Sequence, residues 1–307
     1  MGSQRYESFL RDLCSEVEPT SVQTADASRS HTQLRELLDT GQMASRVVES
    51  YLSGSYARDT AIRPLDDVDI IFIIDPKHWK CPWYRTYPAP DSILDSFASA
   101  IRHRYPDLSV VKQRRSVCLQ LHQLDIDVVP AIADKKHGDF IHVADRDRDE
   151  WLRSSPKTHS AVGTEVNQRR DGSLKPLVKL LKHWNGSLPT TARVKSFAIE
   201  TIATRMFDKT NFSSLQDGLF KFFDFLAHFL GDGQEKWDDS FGISLSTWTR
   251  EVPDIAGTGS NLFARVDANR RDRFLSSARH ARDLLLDAEN TKISEEGRAC
   301  VRRAVGF

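Results

Sequence analysis

Hydrophobic and polar positions change their rhythm about halfway along the chain. Residues 5–17 and 27–40 carry helical spacing, with Phe9, Leu10 and Leu13 in the first stretch and Leu34, Leu37 and Leu38 in the second. A polar stretch from Pro19 to Ala27 separates them. A β-leaning run at 46–52 leads into Gly54-Ser55, and Asp67-Val-Asp-Ile-Ile-Phe-Ile-Ile74 has the β-branched and aromatic content of a buried strand. Residues 75–90 contain Pro76, Pro82, Pro88 and Pro90 together with Trp79 and Trp83, and read as an ordered loop. The pattern then predicts a helix over 91–104 and strands over 109–121, interrupted by the basic residues 112–115, and over 124–132. Past Pro156 the alternation disappears. Helical periodicity predicts helices near 157–170, 174–185, 196–207, 214–230 and 270–289. The expected fold class is therefore α+β. Residues 1–156 make a mixed-sheet core with N-terminal helices, residues 157–307 make a helical-bundle lobe, and the junction of the two lobes is the default place for a ligand.

Composition narrows the class of partner. The chain has 307 residues, and 43 Lys plus Arg balance 43 Asp plus Glu. A binder of long nucleic acids usually carries a basic excess, so small substrates fit this balance better. Cys14, Cys81, Cys118 and Cys300 form no C-x-x-C pair and no zinc-ligand spacing, which reads as a protein of a reducing compartment. Neither an apolar signal segment nor a run of roughly 18 apolar residues is evident, and the expectation is a cytoplasmic protein without membrane association. The tail Arg302–Phe307 is expected to fray.

The chemistry concentrates in the first half. Asp67 and Asp69 are two apart on a strand and so share a face. Paired carboxylates beside an apolar run repel unless something neutralises them, and a hard divalent cation does so. Gly54-Ser55 ends a β-run and opens a polar turn, where a glycine lets the backbone approach a phosphate and a serine adds a donor. Asp125 and Asp127, in Leu124-Asp-Ile-Asp-Val-Val-Pro-Ala131, again share a face, and either completes a metal triad if their strand lies beside that of Asp67.

Gly54-Ser55, Asp67-x-Asp69 and the distal Asp127-Val-Val-Pro-Ala together resemble the polymerase-beta-like nucleotidyltransferase superfamily. The fuller text, GSYARDTAIRPLDDVDIIFII with LDIDVVPAI, is most similar to its bacterial cGAS/DncV-like branch, the second-messenger oligonucleotide or dinucleotide synthetases (SMODS), over roughly residues 19–286. The resemblance implies that Asp127 rather than Asp125 is the third metal ligand. On a helical wheel Leu174, Leu177, Val178, Leu181 and Trp184 form a buried face, with Lys175, Lys179 and Lys182 on the other side. Lys175 reads as solvated surface, whereas the resemblance makes Lys182 a contact of the donor triphosphate. Ser196 sits where a helix should begin, as an N-cap and, by the same resemblance, as a second phosphate contact.

The implied activity is condensation of NTPs into a cyclic di- or trinucleotide with release of pyrophosphate, used in bacterial anti-phage signalling (CBASS). Two Mg2+ ions, replaceable by Mn2+, are the implied cofactors. The expected partners are NTP substrates, ATP with GTP or a pyrimidine NTP, and no template nucleic acid. The resemblance also implies a regulatory protein partner, and the expected state is a monomer. A linear-oligonucleotide synthase, an RNA- or protein-modifying nucleotidyltransferase and a non-catalytic nucleotide-binding module are the rival readings.

Overall fold

The structure, a computed structural model, describes residues 4–228 and 252–307. These fall into two compact units, one spanning Pro19–Ser160 and the other built from the stretches Met1–Glu18 and Ala161–Phe307.

The first unit is a seven-stranded mixed sheet with helices. Its elements are α2 (Ser21–Thr40), β1 (Val47–Ser53), a single-turn α3 (Gly54–Ala57), β2 (Asp67–Ile74), α4 (Pro90–Arg104), β3 (Ser109–Lys112), β4 (Val117–Gln120), β5 (Asp125–Ala133), β6 (Ile141–Asp145) and β7 (Glu150–Ser154). The order β1-β2-β5-β4-β3 forms the main path, and β6 pairs with β5 and β7. Strands β2 and β5 run parallel in a register that sets Asp67 opposite Asp125 and Asp69 opposite Asp127. Every other ladder is antiparallel.

Period-two alternation sorts the sheet into two faces. Val68, Ile70, Phe72 and Ile74 of β2, with Ile126, Val128 and Ile132 of β5, enter a core closed by Leu34 and Leu38 of α2 and by Ile93, Leu94, Phe97 and Ile101 of α4. Ile71, Ile73 and Ala131 face the other way with Ile141, Val143, Tyr51 and Val129. Asp67, Asp69 and Asp127 share the odd-numbered parity of this second face. The apolar core thus fixes the orientation of the acids, since a slip of one residue would turn them into it.

The second unit is helical: α1 (Glu7–Val17), α5 (Pro156–Arg169, which begins at the end of the sheet unit), α6 (Leu174–Ser187), α7 (Ser196–Lys209), α8 (Leu215–His228), α9 (Ala268–Asn290) and α10 (Ser294–Ala304). Its core holds Leu177, Leu181, Ile199, Phe207, Phe222 and Phe274, all fully buried. Trp184 packs edge-on to Phe223 with ring centroids 4.8 Å apart. Among the described residues, no helix is long and apolar enough to cross a membrane.

Several elements depart from the sequence pattern. The stretch from Ser21 to Ala27 is helical rather than a break, because Thr20 and Gln23 close a reciprocal capping box that starts α2 early. Strands β6 and β7 have no counterpart in the sequence reading. Helix α1 packs against α6 and α8, and Tyr6 Oη donates to Ala288 O at 3.0 Å; it lies in the helical unit, whereas a division at 156/157 groups it with the sheet. Residues 229 and 230, included in the helix read at 214–230, lie outside the described residues. The tail does not fray: Arg302 and Arg303 belong to α10, His183 Nδ1 is 2.9 Å from Val305 O, and the Phe307 ring stacks 4.2 Å from that of His183.

Candidate active site

Parallel pairing of β2 with β5 places two acid-bearing strand ends side by side. Carboxylate oxygens of Asp67, Asp69 and Asp127 all lie within 4.8 Å of one another. Asp125 shares the face but is not part of the cluster, so Asp127 is the one of the two that converges with Asp67 and Asp69. Asp67 is exposed, and Asp69 and Asp127 are half-buried.

The electrostatics follow from that crowding. Burial, then the charges of Asp67 and Asp127, push the Asp69 carboxyl up to about 7, against the pull of Arg58. Burial also raises Asp127, with Asp67 adding to the shift, while hydrogen bonds from Ser116 and Cys118 oppose it. Three carboxylates supply hard oxygen donors and an excess of negative charge, and a hard divalent cation satisfies both. The donor set fits such an ion.

Gly54 is what lets the strand end approach so closely. Its φ is +72°, and a Cβ built there would overlap Asp69 Oδ2. It opens α3, whose N-cap is Ser53, the residue paired with Asp69 across the ladder. Ser55 is therefore inside the turn rather than its cap. Its carbonyl accepts from Thr60 N at 2.9 Å, which folds the polar segment 56–60 back over the glycine.

Lys182 and Ser196 belong to the helical unit. There Lys182 is 3% exposed and its ammonium lies 2.7 Å from Glu200 Oε2. Lys179 is likewise buried and reaches Glu18 Oε1 at 2.8 Å. The lysine stripe read from the helical wheel is thus corrected at both positions: long side chains let the charged heads travel to carboxylates on neighbouring segments. Ser196 is the first residue of α7 and exposed, and the N-cap is Lys195, which makes no side-chain capping bond. The loop before it is held by Asn185, whose amide donates to Val194 O at 2.9 Å and accepts from Val194 N at 3.1 Å. Glu200 is the residue here that the pattern did not single out. Its one sequence signal is a lone acid in the first turns of an otherwise apolar helix, Ser-Phe-Ala-Ile-Glu200.

The basic run 112–115 is also committed. Arg114 Nε and Arg115 Nε bind the two oxygens of the fully buried Asp145 at 2.8 and 3.0 Å, and Lys112 bridges Asp91 and Asp95. Asn261 uses its side-chain oxygen to accept from Val252 N and Phe263 N.

The model of the Second Messenger Oligonucleotide or Dinucleotide Synthetase domain matches residues 4–167. A cyclic AMP-AMP-AMP synthase of an Acinetobacter strain is 32% identical over 324 aligned positions, covering all of this chain and 87% of that protein. A cyclic AMP-AMP-AMP synthase of Escherichia coli strain MS 115-1 is 27% identical, covering 57% of this chain and 55% of that protein. The solved structure of E. coli MS115-1 CdnC with ATP shares the fold, with a TM-score of 0.77 at 20% identity and 98% of each chain covered; CdnC has also been solved in a complex with HORMA-deltaN. A family match over more than half the chain and a whole-length relative agree with the converging acids, and this chain belongs to the Second Messenger Oligonucleotide or Dinucleotide Synthetase family as a nucleotidyltransferase of the cyclic-oligonucleotide-synthase kind.

Proposed function

We propose that the chain condenses three ATP molecules into a cyclic tri-adenylate. The observation that carries this reading is the cluster of Asp67, Asp69 and Asp127 beside Gly54, in a chain similar along its whole length to a cyclic AMP-AMP-AMP synthase. In each step a ribose hydroxyl oxygen attacks the α-phosphorus of a 5′-triphosphate, that of an ATP in the two joining steps and that of the linear chain itself in the closing one. A phosphodiester bond forms, the α–β anhydride bond breaks, and the hydroxyl proton passes to solvent. Three such steps close the ring and release three pyrophosphates.

Asp67, Asp69 and Asp127 would hold two Mg2+ ions, with Mn2+ as a substitute; when bound, these offset the triphosphate charge and lower the pKa of the attacking hydroxyl. The backbone amides after Gly54 orient the phosphates, and the Ser55 hydroxyl donates to a phosphate oxygen. The Lys182 ammonium and the Ser196 hydroxyl hold the leaving end of the triphosphate, as the family resemblance suggests. Lys182→Ala is expected to raise the KM for ATP and leave residual turnover. By the same resemblance the product is a second messenger of anti-phage signalling, with a regulatory protein partner governing its synthesis.

Incubation of the purified chain with all four NTPs and Mg2+, followed by phosphatase and mass spectrometry, tests the reading. A phosphatase-resistant product with the mass of three cyclised AMP units is expected. A phosphatase-sensitive ladder would make it a linear synthase, and nucleotide binding without pyrophosphate release would make it a non-catalytic module.

A further inference from the structure

The hydroxyl of Ser116 has two acceptors within reach and one proton. Its Oγ is 3.3 Å from Asp127 Oδ1 and 3.0 Å from Gln113 Oε1, and the residue is buried. A side-chain amide presents either its oxygen or its nitrogen to a neighbour. With Nε2 turned towards Ser116, Gln113 donates to the hydroxyl oxygen, and the hydroxyl proton is directed to the carboxylate, the stronger acceptor. Both polar groups are then satisfied.

The backbone around Ser116 is fixed without help from that hydroxyl. Gln113 N donates to Ser116 O at 2.9 Å and closes the β3–β4 turn. Arg114 and Arg115 at its tip grip Asp145, Arg146 N donates to Arg114 O at 3.1 Å, and Arg146 Nη1 donates to Lys112 O at 3.0 Å. Next along the strand, Cys118 pairs with Asp127 across the β4–β5 ladder. A rigid turn therefore delivers one hydroxyl to one oxygen of the third acid.

We propose that Ser116, oriented by Gln113, is a positioning residue for Asp127: it occupies Oδ1 and leaves the remaining coordination capacity of the carboxylate for a divalent cation. This rests on the reading of Asp67, Asp69 and Asp127 as the cation site. Partners that orient a metal-binding carboxylate typically carry about 10–100-fold in metal affinity.

The test is Mn2+ titration followed by electron paramagnetic resonance, with an ATP analogue whose α–β bridge cannot be cleaved, on the unaltered chain and on Ser116→Ala, Ser116→Thr, Gln113→Glu and Asp69→Ala. Ser116→Ala is expected to weaken Mn2+ binding about tenfold, with an unchanged melting temperature, and Ser116→Thr to restore it. Gln113→Glu only accepts, so it draws the hydroxyl proton from Asp127 and should weaken binding as Ser116→Ala does; it also serves if Ser116→Ala fails to fold. Parental Mn2+ affinity in both Ser116→Ala and Gln113→Glu, or no recovery in Ser116→Thr, overturns the proposal while leaving the three-acid site standing. Absence of Mn2+ binding by the unaltered chain overturns both.

Discussion

In the sheet unit, Asp67, Asp69 and Asp127 hold three carboxylates within 4.8 Å of one another, and burial together with the neighbouring charges drives the Asp69 carboxyl towards neutrality. In the helical unit, Lys182 is more deeply buried than any of the three and sits 2.7 Å from the Glu200 carboxylate. One region crowds like charges together; the other sets opposite charges side by side. The contrast separates residues kept for what they bind from residues that are also part of the architecture. Like charges held together weaken a fold unless a ligand arrives, whereas a buried opposite pair becomes costly when one member is lost.

The sharpest way to break this contrast is Asp69→Ala. Turnover should fall by roughly 10³-fold or more, since several kcal/mol of charge stabilisation is lost. The melting temperature should hold or rise, because crowding is relieved. A destabilised but active variant would reverse the assignment. Glu200→Ala should show the opposite balance. It leaves the Lys182 ammonium buried without that carboxylate and is expected to cost about 3–5 kcal/mol in denaturant unfolding, with Glu200→Gln in between.

Gly54→Ala sharpens the geometric side. The added methyl overlaps Asp69 Oδ2 and the residue must keep φ at +72°. An activity loss of about 10²-fold is expected from displacement of the acid, against only about 1–2 kcal/mol of stability. Asp145→Asn examines a compensated acid within the sheet unit itself. Burial raises the Asp145 carboxyl, but hydrogen bonds from Arg114 and Arg115 outweigh it and hold it below the usual carboxylate range. A carboxyl depressed on folding stabilises the fold above its unfolded pKa, near about 4, and loses that contribution as pH falls through the folded value. The stability gap between parent and variant, about 2 kcal/mol at neutral pH, should therefore close in acid, as urea melts across pH would show.

The candidate acids were legible because each stands on a strand whose alternation marks a shared face; the choice of Asp127 over Asp125 came from the family resemblance, and the parallel pairing then brings the two strands together. Glu200, Ser116 and Asp145 were not, since each gains its meaning from a partner on another element. Strands β6 and β7 escaped notice for a related reason: Asp145-Arg-Asp-Arg-Asp-Glu150 between them is too charged to suggest a hairpin, and only Asp145 is buried by arginines from a distant turn. Helix α1 has clear periodicity, but its burial partners on α6 and α8 lie far along the chain, and periodicity says nothing about which lobe a helix joins. The lysines of α6 show the limit of a helical wheel, which assigns a side by angle and ignores how far a flexible side chain can reach.

The in-register parallel ladder between β2 and β5 has a further consequence for how the protein can be altered. Parallel neighbours require a long crossover, and here it comprises everything from 75 to 124, including the proline-rich loop whose Trp83 is 96% exposed. The spacing of the acids is set by hydrogen bonds across the sheet, so it is insensitive to the length of chain spliced into that outer loop. Foreign sequence inserted near Trp83 should leave the reaction geometry intact, which gives this scaffold a natural port for attaching a reporter.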